Sequence, residues 1–179
     1  MTNLTTIIWL FPILFMIHDF EEIIFLKPWT IRNSNFFQNN FPKFYKKFFN
    51  HFKILSTESF ALGIAEEFVI IVLVVLFANF SNDYKLWLGL FIAFSFHLVI
   101  HIIQSIIIKK YIPAIFTSIL FLPCCIYIIN FIVSSLSINY LLITLYSILG
   151  IIIMVGNLIF IHKFMKRFDE WLILYQNKK

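Results

Sequence analysis

Neither of the first two apolar runs of this 179-residue chain, 5–26 and 55–80, contains a lysine or an arginine. Those runs nevertheless hold six of the nine acidic residues: Asp19, Glu21 and Glu22 in the first, Glu58, Glu66 and Glu67 in the second. An aspartate at mid-helix in hydrocarbon costs about 2.5–3.5 kcal/mol even on lenient insertion scales. Carboxylates without basic neighbours must be protonated, metal-bound or in contact with water. Other scarcities narrow the class. Charged residues make up 13% of the chain against 61% hydrophobic ones, and the mean hydropathy is +0.91, which excludes an ordinary soluble globule. The two cysteines, Cys124 and Cys125, are adjacent and make no disulfide framework; they read as small packing residues after a kink at Pro123. With no Gly/Ser-rich linker and no fixed-period repeat, 1–179 reads as a single domain. The net charge of +5 belongs to the connections, and no nucleic-acid partner is implied.

What is present is hydrophobic sequence in lengths that suit a bilayer, since each crossing needs ~20 apolar residues. Hydropathy places spans at about 5–26, 55–80, 86–108, 113–133 and 140–161. The fold class expected is all-α: a polytopic bundle of about five transmembrane helices plus an interfacial amphipathic helix. The flank 1–6 has no Lys or Arg and no small-x-small cleavage site follows, so the first run reads as a retained helix.

Basic residues give the orientation. With an external amino terminus, all of the fourteen lysines and arginines except Lys85 fall on one face, which the positive-inside rule makes cytoplasmic. The expected location is therefore the cell membrane, with the carboxyl terminus in the cytoplasm. In the long connection, Phe41, Phe44, Tyr45, Phe48, Phe49 and Phe52 recur at helical spacing, with Lys43, Lys46 and Lys47 between them. This pattern, with Pro42 in the first turn, predicts a helix over 42–53 lying on the lipid surface, either as an anchor or as a lid for a lipid. Phe164, Phe168, Trp171, Leu172 and Tyr175 repeat the pattern more weakly in the tail.

The ionisable groups agree in depth and facing. At 1.5 Å per residue, His18 lies about 12 Å and Glu22 about 6 Å before the cytoplasmic end of the first span. Glu66 and Glu67 lie about 16 Å into the second span from that face, and His101 and His97 about 10 and 16 Å into the third. His18, Glu21 and Glu22 stand at i, i+3 and i+4 and share a stripe. His97 and His101 form an i, i+4 pair able to bind one metal, with Gln104 a turn further along. Of the adjacent Glu66 and Glu67, only one is expected to point fully inward. Asp19 points about 100° away from His18 and is assigned to helix packing or the interface. Glu58, His51 and His162 read as surface or interface residues.

The run His18-Asp19-Phe20-Glu21-Glu22 resembles the signature of an uncharacterised bacterial integral membrane family named for its H-x-x-E-E motif. Glu66-Glu67, His97-x-x-x-His101 and the stretch from Tyr111 through Thr117 resemble its further motifs, although Ala114 stands where the resemblance implies glycine. The resemblance implies a membrane protein with a polar site and names no substrate.

Mixed carboxylate and imidazole donors suit Zn, Fe or Mn. The reading of the residues is a divalent metal held by His18, Glu21, Glu66, His97 and His101, with Glu22 and Glu67 as catalytic carboxylates. The corresponding function is a metal-dependent enzyme acting on a lipid-like or hydrophobic substrate, with the bilayer as its surroundings. Two alternatives stand beside it. One is a metal-free intramembrane glutamate/histidine hydrolase, against which Leu26 and Ile71 occupy positions where the known glutamate proteases have arginine. The other is a proton or metal-ion transporter, for which a homo-oligomer would supply the repeated half that this chain lacks.

Overall fold

The computed structural model describes residues 4–49, 52 and 54–177, and among them every regular element is helical. A short helix α1 (Leu4–Ile8) leads into α2 (Leu10–Asn40). A single turn, α3 (Pro42–Phe44), runs into a π-helical turn at Tyr45–Phe49. Four long helices follow: α4 (Thr57–Ser81), α5 (Lys85–Ile108), α6 (Ile115–Leu136) and α7 (Tyr140–Asn177). These four are long and apolar enough to cross a membrane. With 31 residues, α2 has the length to cross as well, but its carboxylates and its polar second half make it the least apolar of the long helices.

Proline and tryptophan set the start of the bundle. Pro12 has no N–H to offer the Ile8 carbonyl, and the helix breaks at Trp9. The orphaned carbonyl accepts instead from the indole Nε1 of buried Trp87 on α5, at 3.1 Å. Around that bond Phe11 packs edge-on against Trp87 and Phe91, forming the aromatic end of the core.

The helices neighbour one another in the order α2–α4–α7–α5–α6 and back to α2. Small residues set the closest approaches. A Cβ on Gly89 of α5 would run into the Tyr146 carbonyl oxygen of α7, and one on Gly150 would run into the Gly89 carbonyl. A Cβ on Gly63 of α4 would come within 2.6 Å of Met165 Sδ on α7. In lipid, where apolar surface gains nothing by association, such backbone contact is a main source of helix packing energy. Large apolar side chains such as Phe80, Phe116, Leu120 and Tyr127 face outward, as they would against acyl chains.

Two sequence-based expectations change. The first helix does not stop near 26 but continues through Lys27 and Pro28 to Asn40, with Thr30, Ser34 and Phe37 buried on one side. Polar side chains support this stretch by bonding back to the preceding turn: Thr30 Oγ1 to Lys27 O, Asn33 Nδ2 to Trp29 O and Asn40 Nδ2 to Phe36 O. The stretch 42–53, expected as a helix on the lipid surface, is helical at each of its described residues, 42–49 and 52, with one α turn running into a π-helical turn. Residues 50, 51 and 53 and the side chains of Lys47 and Phe48 lie outside the described residues. What changes is where part of its aromatic side packs, because α2 runs on beside it. Phe49 stacks on Phe37 at 4.4 Å between ring centres and is buried there, so this aromatic side folds onto α2. At the same end of the bundle, Lys27 Nζ donates to the Leu55 carbonyl at 2.7 Å. There too, Asp169 on α7 accepts from Ser59 Oγ at 2.9 Å and Ser56 N at 3.3 Å.

Candidate metal centre

α2 and α5 supply the site from opposite sides of the bundle. On α2, the i, i+4 spacing puts His18 and Glu22 on one stripe; on α5, the same spacing pairs His97 with His101. Across the gap, Glu22 Oε1 lies 2.9 Å from His101 Nε2, and His101 Nε2 lies 3.0 Å from His97 Nε2. The His18 ring centre is 5.3 Å from that of His97 and 5.2 Å from that of His101. One ligand atom from each of His18, Glu22, His97 and His101 falls within 4.8 Å of all the others.

Those separations can be set against coordination geometry. Metal–donor bonds of about 2.0–2.2 Å at tetrahedral angles put the donors ~3.3–3.5 Å apart. The two short edges need to open by only a few tenths of an ångström, and no other edge exceeds 4.8 Å. Without a cation, the set is poorly matched to itself. A single hydrogen on His101 Nε2 cannot serve both Glu22 and His97 along a straight bond, and His101 Nδ1 is buried with no hydrogen-bond partner.

His18 is positioned by a chain of hydrogen bonds that also fixes its tautomer. Thr117 Oγ1 has one hydrogen and lies 2.8 Å from Glu21 Oε2 and 3.2 Å from the Ala114 carbonyl. The shorter contact, to a carboxylate, takes that hydrogen. The hydroxyl oxygen then accepts from His18 Nδ1 at 3.0 Å, which assigns the imidazole proton to Nδ1. Nε2 is left with its lone pair, fully buried and with no hydrogen-bond partner. A neutral imidazole with one nitrogen hydrogen-bonded and the other bare is the form that binds metals.

Glu21 is thereby placed outside the metal group where the sequence reading had it inside. Its two oxygens accept from Tyr111 Oη at 3.0 Å, Thr117 N at 3.0 Å and Phe116 N at 3.4 Å, besides Thr117 Oγ1. The first-turn amides of α6 have no intrahelical acceptors, and a buried carboxylate at the positive end of the helix satisfies them. Glu66 also stands apart, accepting from Asn157 Nδ2 of α7 at 3.1 Å. Glu22, expected as a catalytic carboxylate, is the one that meets the histidines.

The group opens on a cavity of about 670 Å³, in the usual range for small-molecule sites. Glu22, His97 and His101 are on its wall, as are Glu67, Gln104, Asn157 and His162; most of the remaining lining is Phe, Ile, Leu and Met. Glu67 thus faces the cavity while Glu66 turns to α7. Asp19 was assigned to packing or the interface, but it also lines the cavity, is only 5% exposed, and has Oδ2 without a partner. The signal was in the spacing: Asp19 is i−3 from Glu22 and shares its side of α2. Thr117 and Tyr111 could be suspected only from the resemblance, because their partner Glu21 is remote in sequence.

The four converging residues and the Glu21–Thr117–Tyr111 cluster lie within residues 9–128, over which the chain matches the model of the family described as a protein of unknown function with an HXXEE motif. The chain belongs to that family, and His18, Glu21 and Glu22 are the residues of its motif. No curated protein and no solved structure matches the chain.

Proposed function

We propose that the protein is a membrane-embedded metalloenzyme. His18, Glu22, His97 and His101 hold a divalent ion, Zn, Fe or Mn, beside a cavity that receives a lipid-like or otherwise hydrophobic substrate. The observation that carries this reading is the convergence of three imidazoles and one carboxylate within 4.8 Å, with the bare His18 Nε2 among them. The donor set is oxygen- and imidazole-based, which suits those ions. In this reading five helices cross the bilayer, α2 among them, with the amino terminus outside. The distribution of lysine and arginine supports that orientation.

A divalent ion at such a site supplies Lewis acidity and makes water a nucleophile near neutral pH. The chain's own groups do the rest. The Thr117–Glu21 pair holds His18 in its ligating tautomer. Glu67, on the cavity wall and outside the ligand group, is the carboxylate left to take or return a proton. The Phe and Ile walls keep bulk water from the reacting centre and select an apolar substrate. Glu66, tied to Asn157, has a packing role.

Metal analysis of protein purified in detergent tests the proposal. About one equivalent of metal is expected in the wild type, given a single four-residue donor set, and close to none in the His97→Ala/His101→Ala double variant. Stoichiometric metal that survives loss of both histidines would refute the site. Proteoliposomes showing a metal or proton flux abolished by Glu67→Gln, with no turnover of any hydrophobic substrate, would replace the enzyme by a carrier.

A further inference from the structure

Asp19 is a charged-type side chain with no evident purpose in the fold. It sits on α2 with 5% exposure, faces the cavity, and its Oδ2 has no hydrogen-bond partner. Leaving such a group unsatisfied in an apolar interior is costly, so it calls for a donor that arrives with a ligand. Three carboxyl groups reach the cavity, Asp19, Glu22 and Glu67, whereas no lysine or arginine does among its described lining residues. Asp19 and Glu22 stand one turn apart on α2, and Glu67 reaches the same cavity from α4. With all three ionised, a divalent ion on Glu22 and the histidines would offset two of the three negative charges and leave one for a cationic ligand.

The walls describe the rest of the ligand. On α2 the lining runs from Phe11 to Phe37, about 39 Å of helix, and the acidic groups occupy its middle. Phe15, one turn before Asp19, and Phe94 present aromatic rings to the same space. Aromatic faces attract ammonium groups and have no use for anionic ones. A phosphate or carboxylate head group finds no basic residue among the described lining and could be held only at the ion on Glu22 and the histidines, not at Asp19.

We infer that the cavity recognises an amphiphile with a primary or secondary amine as its head group and aliphatic chain on the apolar wall, Asp19 accepting from the ammonium. This names the substrate class of the same cavity and rests on the hydrophobic-substrate reading given above. A protonated amine, with two or three N–H donors, satisfies the orphaned Oδ2 and brings a positive charge in one step.

Binding of dodecylamine, dodecanol and dodecanoate to the full chain in lipid nanodiscs, with empty nanodiscs as background, tests this directly. Dodecylamine should bind roughly 30-fold more tightly than dodecanol, the scale on which a buried charge pair is lost, and dodecanoate should bind only to metal-loaded protein and independently of Asp19. Asp19→Asn should abolish the preference for amine over alcohol while leaving metal content at the wild-type level; Glu67→Gln should reduce it. Equal binding of amine and alcohol, or an undiminished preference in Asp19→Asn, would overturn the inference. Amine preference in protein that binds no metal would sustain it and remove the metal reading, whereas bound metal without amine preference would do the reverse.

Discussion

Glu22 Oε1 and His101 Nε2 meet at 2.9 Å, at the far end of a line of α2–α5 contacts that begins at Phe11 and Trp87 and passes through His18 and His97. The contact joins the second glutamate of the H-x-x-E-E motif to the later histidine pair, whereas Glu21, one residue away, points to α6. Adjacent residues on a helix diverge by about 100°, so the two glutamates of the motif serve different partners. Glu22→Gln is therefore expected to cut metal affinity far more than Glu66→Gln, which loses only a packing contact to Asn157. Titration of metal-free protein with Zn or Mn should give at least a 100-fold loss for the first, beyond the range usual for groups one step removed from a metal, and a change within about threefold for the second.

Thr117 offers a separate test of the His18 tautomer. Its hydroxyl links His18 Nδ1 to Glu21, and valine is nearly isosteric but can neither donate nor accept. Thr117→Val should lower metal affinity about 10–100-fold, as loss of a supporting hydrogen bond to a ligating histidine does. Thr117→Ser keeps the hydroxyl and should restore affinity. A valine variant with wild-type affinity would show that the chain through Thr117 does not orient His18.

Much of this architecture can be read from the sequence, for physical reasons that also set the limit. Apolar runs of membrane length predicted the four helices α4 to α7, because hydrocarbon forces the backbone to satisfy itself within each segment. The i, i+4 spacings predicted that His18 and Glu22, and likewise His97 and His101, share faces, because helical geometry is local. What spacing could not show is the partner across the bundle. Glu21 bonds backbone amides at the start of α6, and an amide carries no residue identity to recognise. Glu66 and Glu67 are equivalent by composition, and only the fold shows that Glu67 reaches the cavity wall. The extension of α2 to Asn40 was hidden by the lysine and proline at 27 and 28, which end a hydropathy run without ending a helix.

Ala114 holds a backbone conformation that glycine adopts more readily. It adopts φ 68° and ψ 5° immediately before α6, the left-handed region in which glycine is at ease. The conformation costs an alanine about 1–2 kcal/mol. Its methyl is fully buried, however, and glycine would lose that burial, ~0.8 kcal/mol, and gain freedom in the unfolded chain. Ala114→Gly is accordingly expected to change stability by less than about 1 kcal/mol. Ala114→Val, β-branched at positive φ, should cost more than about 2 kcal/mol. Thermal unfolding in detergent, read by loss of monodisperse protein, measures both.

Gly89 is a sharper constraint, because backbone rather than side chain occupies the space. An added methyl would overlap the Tyr146 carbonyl oxygen and carbon, and Gly150 faces the Gly89 carbonyl reciprocally. A flexible neighbour could move aside, but a helix backbone can yield only by separating α5 from α7. Gly89→Ala should therefore destabilise by about 2–4 kcal/mol, at the upper end for a single methyl, whereas Gly156→Ala, whose Cβ would meet nothing within 4 Å, should be neutral. Equal behaviour of the two variants would mean that α5 and α7 do not pack through these glycines.

Asp169 gives the bundle a pH-dependent fastening outside the spanning segments. Burial alone would raise its pKa, but hydrogen bonds from the Ser56 and Ser59 side chains and the Ser56 amide, with Lys27 nearby, more than offset that. Its carboxyl is thereby held below the ordinary 3.8. A carboxyl whose folded pKa is depressed contributes stability that is fully present above its unfolded pKa and fades as pH falls through the folded one. The difference in melting temperature between the wild type and Asp169→Asn should accordingly be constant from about pH 6 to 8 and shrink only in acid, below about pH 4. Comparing each protein with its variant at the same pH removes the contribution of the other carboxyls. A difference that closes near neutrality instead would mean that the serine hydrogen bonds do not hold the carboxylate in its charged form.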